Sequence, residues 1–213
     1  MPKRPLQRVT VPLIPSKPTL KNVRDAAKRC QACDLWKTGT QTVFGEGAAN
    51  AKLMLIGEQP GSEEDLSGHP FVGPAGKLLS RALEDAGVER SSVYVTNVVK
   101  HFKWEPRGKR RVHKKPNRAE VVACHPWIQT EIELVKPRVI VCLGSTAAQA
   151  LIDPKFKVTQ HRGERLPSPL APVVMATVHP SSILRAPDDE ARRQEMAAFV
   201  RDLRGAAREL RKG

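Results

Sequence analysis

Four short apolar runs, each ending in a turn and followed by a helical pattern, restrict the fold of this chain more than any other feature. The runs occupy residues 53–56, 93–99, 139–143 and 173–177. Unbroken apolar or β-branched runs of this length are typical of strands buried on both faces of a parallel sheet. Strand and helix alternate along the chain, so we predict the α/β class: a three-layer α/β/α sandwich with a central, mainly parallel four-stranded sheet.

Capping signals predict where the helices begin. Thr19 and Pro74 each suit the first turn of a helix, and Asn117 with Glu120 forms a capping box. We expect Pro126 to divide the helix that follows this box into two pieces. Further helices are predicted at residues 145–151 and 188–210. Residues 1–18 hold five prolines and four basic residues; we predict an extended arm there and a single domain over residues 19–213.

The net charge of +14, from 36 Lys and Arg against 22 Asp and Glu, predicts an anionic partner. Nucleic acid is the leading candidate. No apolar run approaches the roughly 18 residues that span a bilayer, so we expect no membrane insertion. The N-terminus also lacks the apolar core of a secretion signal, and we therefore expect a cytoplasmic protein in a reducing compartment.

The four cysteines allow two interpretations. Cys30 and Cys33 form a CxxC pair, whereas Cys124 and Cys142 stand alone, so the paired CxxC pattern of many zinc sites is absent. Four thiolates can nevertheless ligate one iron–sulfur cluster. The alternative is that Cys142, inside an apolar run, is a small core residue and that the CxxC is accidental. Spacing alone leaves both possibilities open.

Polar side chains follow three of the predicted strands. Glu58 lies two residues after the first run, Asn97 lies near the end of the second, and His179 lies two residues after the fourth. The carboxyl ends of parallel strands meet at one edge of a sheet, where ligands bind in open α/β folds. We therefore predict a functional site at that edge. Neither a Walker motif nor GxGxxG follows any of the strands, so the common phosphate-binding loops are absent.

Residues 100–118 form a basic segment, with nine Lys or Arg among nineteen residues. Pro106, Gly108 and Pro116 predict an irregular loop, and phosphates are the natural ligand of its cations. Within it, His113 is surrounded by positive charges. These cations disfavour a further charge, so we expect a neutral imidazole with a free lone pair, which is a usable nucleophile.

Several segments together resemble one protein family. They are Gly57-Glu58-Gln59-Pro60-Gly61, the segment from His69 to Gly76, Thr96-Asn97-Val98-Val99-Lys100, Cys142-Leu143-Gly144 and His179-Pro180-Ser181-Ser182. In this order, over roughly residues 20–205, they resemble the uracil-DNA glycosylase superfamily, and in particular its iron–sulfur family 4. Gln59 and the basic segment ending in His113 depart from family 4 and resemble the UdgX branch, whose members become covalently joined to the DNA they deglycosylate.

The resemblance implies a site for uracil excision. Phe71 would stack on a flipped uracil, Asn97 would pair with its polar edge, and His179 would donate to its O2. Glu58 would stabilise the sugar cation or hold the nucleophile, and Asp65 would assist polarisation. His113 would be the nucleophile, with Gln59 orienting it by a hydrogen bond.

The resemblance also implies a cofactor and a partner. Cys30, Cys33, Cys124 and Cys142 would ligate a 4Fe-4S cluster. The DNA contacts would come from Lys109, Arg110, Arg111, Lys114 and Arg185. We expect a monomer acting on uracil-containing DNA, with single strands favoured. Two alternatives stay open: a family 4 enzyme that turns over with water, and a non-enzymatic iron–sulfur protein that binds DNA.

Overall fold

A four-stranded parallel sheet organises the protein in the computed structural model, which describes residues 14–212. Most of the predicted arm, residues 1–13, therefore lies outside the described residues. The strands are β1 (Leu53–Gly57), β2 (Val93–Asn97), β3 (Trp104–Arg107), β4 (Arg110–His113), β5 (Val139–Leu143) and β6 (Val173–Thr177). Strands β2, β1, β5 and β6 form the sheet in that order, all parallel, while β3 and β4 form a separate antiparallel hairpin.

In the described part of the chain, eight α-helices surround the sheet. They are α1 (Leu20–Ala27), α2 (Ser62–Ser67), α3 (Pro74–Asp85), α4 (Arg118–Val135), α5 (Ser145–Leu151), α6 (Val158–His161), α7 (Pro180–Leu184) and α8 (Asp189–Leu210). The predicted cap at Thr19 and the predicted capping box at Asn117 are confirmed, and at both positions the two reciprocal hydrogen bonds of a capping box are in place. Within residues 14–212, none of these helices combines the length and the hydropathy that crossing a bilayer requires.

The sheet is apolar on both faces, which explains its unbroken hydrophobic runs. On β1, Leu53 and Leu55 pack with helices α3 and α8, whereas Met54 and Ile56 pack on the opposite face with helices α1 and α4. Alternate side chains of a strand point to opposite faces, so a strand covered on both sides must be apolar at every position. The α/β/α sandwich is therefore confirmed.

Two local predictions were wrong. Pro126 does not divide its helix: α4 continues from Arg118 to Val135, and Thr130 Oγ1 donates to the Pro126 carbonyl at 2.8 Å. The buried apolar side of α4 holds the helix together despite the missing backbone donor. The basic segment is not irregular either, because Gly108 at φ 59° begins a two-residue turn that closes the β3–β4 hairpin. Pro106 is tolerated because this two-stranded hairpin consists only of edge strands.

Candidate active site

The carboxyl ends of β1 and β2 form the floor of the site. Gly57 and Asn97 are register partners, so they lie side by side at the sheet edge. A Cβ on Gly57 would contact the Asn97 side-chain oxygen and would lie 2.8 Å from Phe71 Cζ and 3.5 Å from His179 Nε2. The missing side chain at Gly57 thus leaves room bordered by an amide, an aromatic ring and an imidazole.

Asn97 presents a buried, unsatisfied acceptor to this space. The residue is 3% exposed, and its Oδ1 has no hydrogen-bond partner among the described residues. An unpaired buried carbonyl oxygen costs roughly 1–3 kcal/mol, so such atoms are rare and often functional. The arrangement is suited to a ligand that carries an N–H group.

Phe71 forms one wall of the space. Its backbone has φ 57°, an uncommon conformation for a non-glycine residue. Gly76 permits it, because a Cβ at position 76 would collide with the Phe71 backbone. The Phe71 and His179 ring centroids are 6.3 Å apart, with an angle of 29° between the ring planes. The strained backbone holds the aromatic ring at a fixed place beside the imidazole.

His179 is held as a neutral donor. Its Nδ1 accepts from the Ser181 backbone N–H at 3.2 Å, so the ring proton lies on Nε2, which faces Gly57. Burial lowers the pKa of His179 to about 4, although the nearby Glu58 carboxylate acts in the opposite direction. At neutral pH the imidazole therefore offers one N–H to the space above Gly57.

Glu58 is an ionised carboxylate at the edge of the same space. Burial acts to raise its pKa, but hydrogen bonds from His113 and Thr146 outweigh that effect and the pKa is lowered. Thr146 Oγ1 donates to Glu58 Oε2, and His113 Nε2 lies 3.1 Å from Glu58 Oε1. Thr146 is a site residue that sequence analysis missed, because nothing in its local pattern distinguishes it from an ordinary residue of α5.

Gln59 holds the hairpin over the site. It does so through the hairpin backbone, and not through the direct hydrogen bond to the His113 imidazole that was expected. The Gln59 side chain accepts from the Lys103 backbone N–H at 3.1 Å and donates to the carbonyls of Lys103 and Lys114 at 3.1 and 3.0 Å. These two residues flank the hairpin, and Lys114 directly follows His113. Gln59 therefore positions His113 only through the backbone.

Asp65 and Arg111 form a second fastening, which differs from the roles expected for them. Asp65 is fully buried and accepts from Thr40 N at 2.8 Å and from Arg111 Nη1 at 2.5 Å. Arg111 also bonds Ser62 and lies over the Trp104 ring. Both side chains are thus engaged in holding the hairpin, and the polarising and phosphate-binding roles expected for them stay predictions.

His113 itself contacts a carboxylate, which its sequence context does not reveal. Half of its side chain is exposed, Nε2 faces Glu58, and the ring lies 6.2 Å from that of Phe102. Because Glu58 is ionised, the proton of a neutral His113 ring lies on Nε2, and the free lone pair is on Nδ1. The other predicted DNA contacts are exposed: Lys109, Arg110, Lys114 and Arg185.

Three of the four cysteines influence one another. The Cys124 thiol is fully buried, and its pKa is raised to about 12 by burial, with Cys33 and Cys30 as further contributors. Its Sγ accepts from the Lys100 backbone N–H at 3.3 Å, and Cys30 Sγ accepts from Trp127 Nε1 at 3.2 Å. Among residues 14–212, no three potential ligands are close enough to form a ready metal site.

Cys142 lies in the same core cluster as Cys124, and Cys30 and Cys33 pack against that cluster. It is buried on β5 between Ile56 and Ala176, and burial raises its pKa to about 12. Its position is compatible with both interpretations of the cysteines. His101 was not singled out by sequence analysis, yet it is 5% exposed, and burial lowers its pKa to about 4. It directly follows Lys100, whose amide reaches Cys124.

Comparisons with known proteins agree on one family. The sequence profile described as "Uracil DNA glycosylase superfamily" matches residues 44–204. A type-4 uracil-DNA glycosylase of Thermotoga maritima is 39% identical over 172 residues, covering 80% of this chain and 86% of that protein. Type-4 enzymes of Pyrobaculum aerophilum and Archaeoglobus fulgidus are 38% and 40% identical, covering 79% and 74% of this chain and 86% and 79% of their own.

Proposed function

The chain belongs to the uracil DNA glycosylase superfamily, and we propose from this premise that it excises uracil from DNA in the manner of the type-4 enzymes. The observation that carries the proposal is the buried, unpartnered Oδ1 of Asn97, which lies above a glycine and beside Phe71 and His179. A role in binding DNA alone would need neither this acceptor nor an ionised carboxylate beside it.

The proposed base recognition follows from the hydrogen-bonding pattern of uracil. Asn97 Oδ1 accepts from the N3–H of a flipped uracil, and the amide NH₂ of the same side chain donates to O4. Cytosine carries an acceptor at N3 and a donor at C4, so both contacts fail against it. Rejection is strong because the buried amide would be left unpaired. Phe71 stacks against the face of the base.

The departing base and the sugar need opposite kinds of stabilisation. Cleavage of the glycosidic bond leaves negative charge on uracil, and the Nε2–H of His179 donates to O2 as that charge develops. The sugar becomes an oxocarbenium-like cation, which the Glu58 carboxylate stabilises. Glu58 stays ionised at neutral pH because hydrogen bonds from His113 and Thr146 lower its pKa despite burial.

Two groups compete to capture the sugar cation. Water is favoured by the similarity to type-4 enzymes, and in that route Glu58 accepts the proton of the attacking water. Capture by His113 is the second candidate, favoured by the 3.1 Å contact of its Nε2 with Glu58. In that route uracil leaves first with the bonding electron pair, Nε2 then passes its proton to Glu58, and the Nε2 electron pair released in this way forms the bond to C1′ of the sugar cation. Glu58 thus serves both routes.

A denaturing gel separates these routes. Protein is incubated with a uracil-containing single strand and its matched duplex, and we measure free uracil, abasic DNA and any adduct that survives denaturation. Hydrolysis predicts abasic DNA without adduct from the unaltered protein. Capture predicts an adduct that His113→Ala abolishes while uracil release continues. No uracil release by any form, including the unaltered protein, would contradict the proposed function itself.

We also propose that the preferred substrate is single-stranded and that the protein acts as a monomer. A single strand avoids the few kcal/mol needed to unpair and unstack the target base. The same assay tests the strand preference: the excision rate on the single strand divided by the rate on the duplex should exceed one.

Sedimentation of the protein during turnover tests whether it acts as a monomer.

We propose that the cysteines near Trp127 hold a 4Fe-4S cluster, as the similarity to type-4 enzymes suggests. The donor chemistry fits: Cys30, Cys33 and Cys124 are sulfur ligands, and two of them accept N–H hydrogen bonds of the kind that tune cluster sulfurs. The fourth ligand is Cys142, as first expected, which belongs to the same core cluster as Cys124. A bound cluster would join the region of α1 to α4.

Iron content identifies the fourth ligand. Cys124→Ala should lose most of the bound iron and its visible absorbance. Cys142→Ala should lose iron to a similar extent, whereas the control His101→Ala, which removes a buried imidazole beside Asp65, should keep it. Elemental analysis and absorbance of the purified proteins measure this. Zinc without iron in the unaltered protein would contradict the cluster.

The hairpin tip should supply affinity without selecting the base. Arg110→Glu is expected to weaken binding to any single strand, because Arg110 is exposed and contributes one phosphate contact. The slope of log affinity against log salt should fall by roughly 0.7, the value for one such contact. Arg208→Glu, an exposed arginine on α8, is the matched control. A change in which base is released would contradict this role.

A further inference from the structure

Lys100 and Glu131 form an ion pair inside the protein, and the proposed chemistry does not use it. The side chains are 1% and 0% exposed, and Lys100 Nζ contacts Glu131 Oε2 directly. Lys100 follows β2, and Glu131 lies on α4. Such pairs are weak contributors to stability, because removing two charges from water costs about as much as their attraction returns. The position of the pair therefore needs another explanation.

The remaining hydrogen bonds of the pair lead to the site. Lys100 Nζ donates to Thr96 Oγ1 and to the Asn97 carbonyl, both at 2.7 Å. Glu131 Oε1 accepts from Gly45 N at 2.9 Å and from Tyr94 OH at 3.0 Å. All three donors of the ammonium are satisfied, and one of them fixes the main chain of the residue whose side chain presents the unpartnered acceptor.

A third contact ties the same residue to α4. The Lys100 backbone N–H donates to Cys124 Sγ at 3.3 Å. The turn from Asn97 to Lys100 is thus held from two directions. The Lys100 ammonium donates to the Asn97 carbonyl, and the Lys100 backbone N–H donates to the Cys124 thiol on α4. Within this turn Asn97 has little freedom to shift relative to Gly57.

We propose that Lys100 and Glu131 are positioning residues that hold the Asn97 amide at the place where it distinguishes uracil from cytosine. The inference rests on the proposed function. Glu131 orients the Lys100 ammonium, the ammonium fixes the Asn97 carbonyl, and the side chain then meets the base without reorganising. A shift of about 1 Å in such a group can lower a rate about 100-fold.

A neutral version of the pair tests this. Lys100→Met combined with Glu131→Gln removes both charges, and the glutamine retains an acceptor for Gly45 and Tyr94. The fold should therefore keep most of its stability, while the Asn97 carbonyl loses its donor. The matched control is Arg162→Met with Asp202→Asn, which removes a partly buried ion pair with an N–O distance of 2.7 Å between Arg162, directly after α6, and Asp202 on α8.

The measurements are the single-turnover excision rate, the inhibition constant of free uracil, and the thermal unfolding midpoint. We expect the neutral pair to lower the rate 10- to 100-fold and to weaken inhibition by uracil about 10-fold, with an unfolding midpoint close to that of the control pair. Free uracil reports on the Asn97 amide without any contribution from Glu58 chemistry. A neutral pair with unaltered rate and inhibition constant would overturn the inference.

The failure of the inference and of the proposed function give different results. If the unaltered protein releases no uracil, the proposed function fails. If the unaltered protein and the neutral pair release uracil equally fast, only the positioning role fails. A neutral pair whose rate falls merely in proportion to its unfolded fraction, with the uracil inhibition constant unchanged, also overturns the inference.

Discussion

Replacing Gly57 with alanine is expected to abolish uracil excision. The added methyl would contact the Asn97 oxygen and would lie 2.8 Å from Phe71 Cζ, in the space proposed for the base. Both contacts are too close for the Asn97 and Phe71 side chains to stay in place. The base would lose its pairing with Asn97 and its stacking on Phe71 together, so we expect the single-turnover rate to fall by at least about 100-fold.

The control for this change is another buried or half-buried glycine replaced by alanine. Gly205 lies on α8, and a Cβ there would make only an ordinary contact of 3.4 Å with Met175 Cε. Gly205→Ala should leave the excision rate unchanged. Gly57→Ala with a normal unfolding midpoint and a normal rate would mean that the base binds elsewhere.

Replacing His179 with alanine is expected to lower the excision rate by about 100- to 1,000-fold, as the loss of one preorganised donor to a developing anion does elsewhere. The loss should appear in the chemical step, with binding of uracil-containing DNA little altered. His179→Gln is the matched variant, because its amide retains a donor, and we expect it to lose less. Equal losses in the two variants would contradict a donor role.

The pH dependence provides an independent check on His179. Burial lowers its pKa to about 4, so the ring remains neutral as the pH falls through the ordinary histidine range near 6.5. Excision should show no titration of His179 between pH 8 and pH 5. Below about pH 6.5, protonation of His179 in the unfolded chain begins to destabilise the fold. Activity is then lost as the pH approaches the lowered pKa values of His179 and Glu58. A step in the excision rate near pH 6.5 that His179→Gln removes would contradict the assignment.

Much of the fold was predictable because it depends on local and periodic signals. β1 had to be apolar on both faces, and its run stops at Gly57, where the backbone turns. The caps at Thr19 and Asn117 are decided within four residues. Glu58, Asn97 and His179 converge because parallel strands end at a common edge, which topology alone fixes.

The rest depended on contacts that are distant in sequence. Pro126 is tolerated within α4 because of the packing around it, which no local pattern encodes. In the sequence, Arg111 is one cation among many, and its ion pair with Asp65, 46 residues earlier, forms only in the folded protein. Lys100 likewise carries no signal of burial, because a lysine after a strand is usually solvated. Cys142 could be grouped with the other cysteines only by count, and the structure places it in the core cluster against which Cys30 and Cys33 pack.

The hairpin that carries His113 has a consequence for how the scaffold can vary. The Lys114 backbone N–H donates to the Lys103 carbonyl at 2.9 Å, so the two ends of the insertion meet, and β3 and β4 pair only with each other. Residues 104–113 therefore form a self-closed cassette. A two- or three-residue link in its place would leave the sheet and the base pocket intact, provided that Asp65, which would lose its Arg111 partner, is replaced by a neutral residue. Loss or transfer of this cassette offers evolution, or an engineer, a way to exchange the group facing the sugar without rebuilding the enzyme.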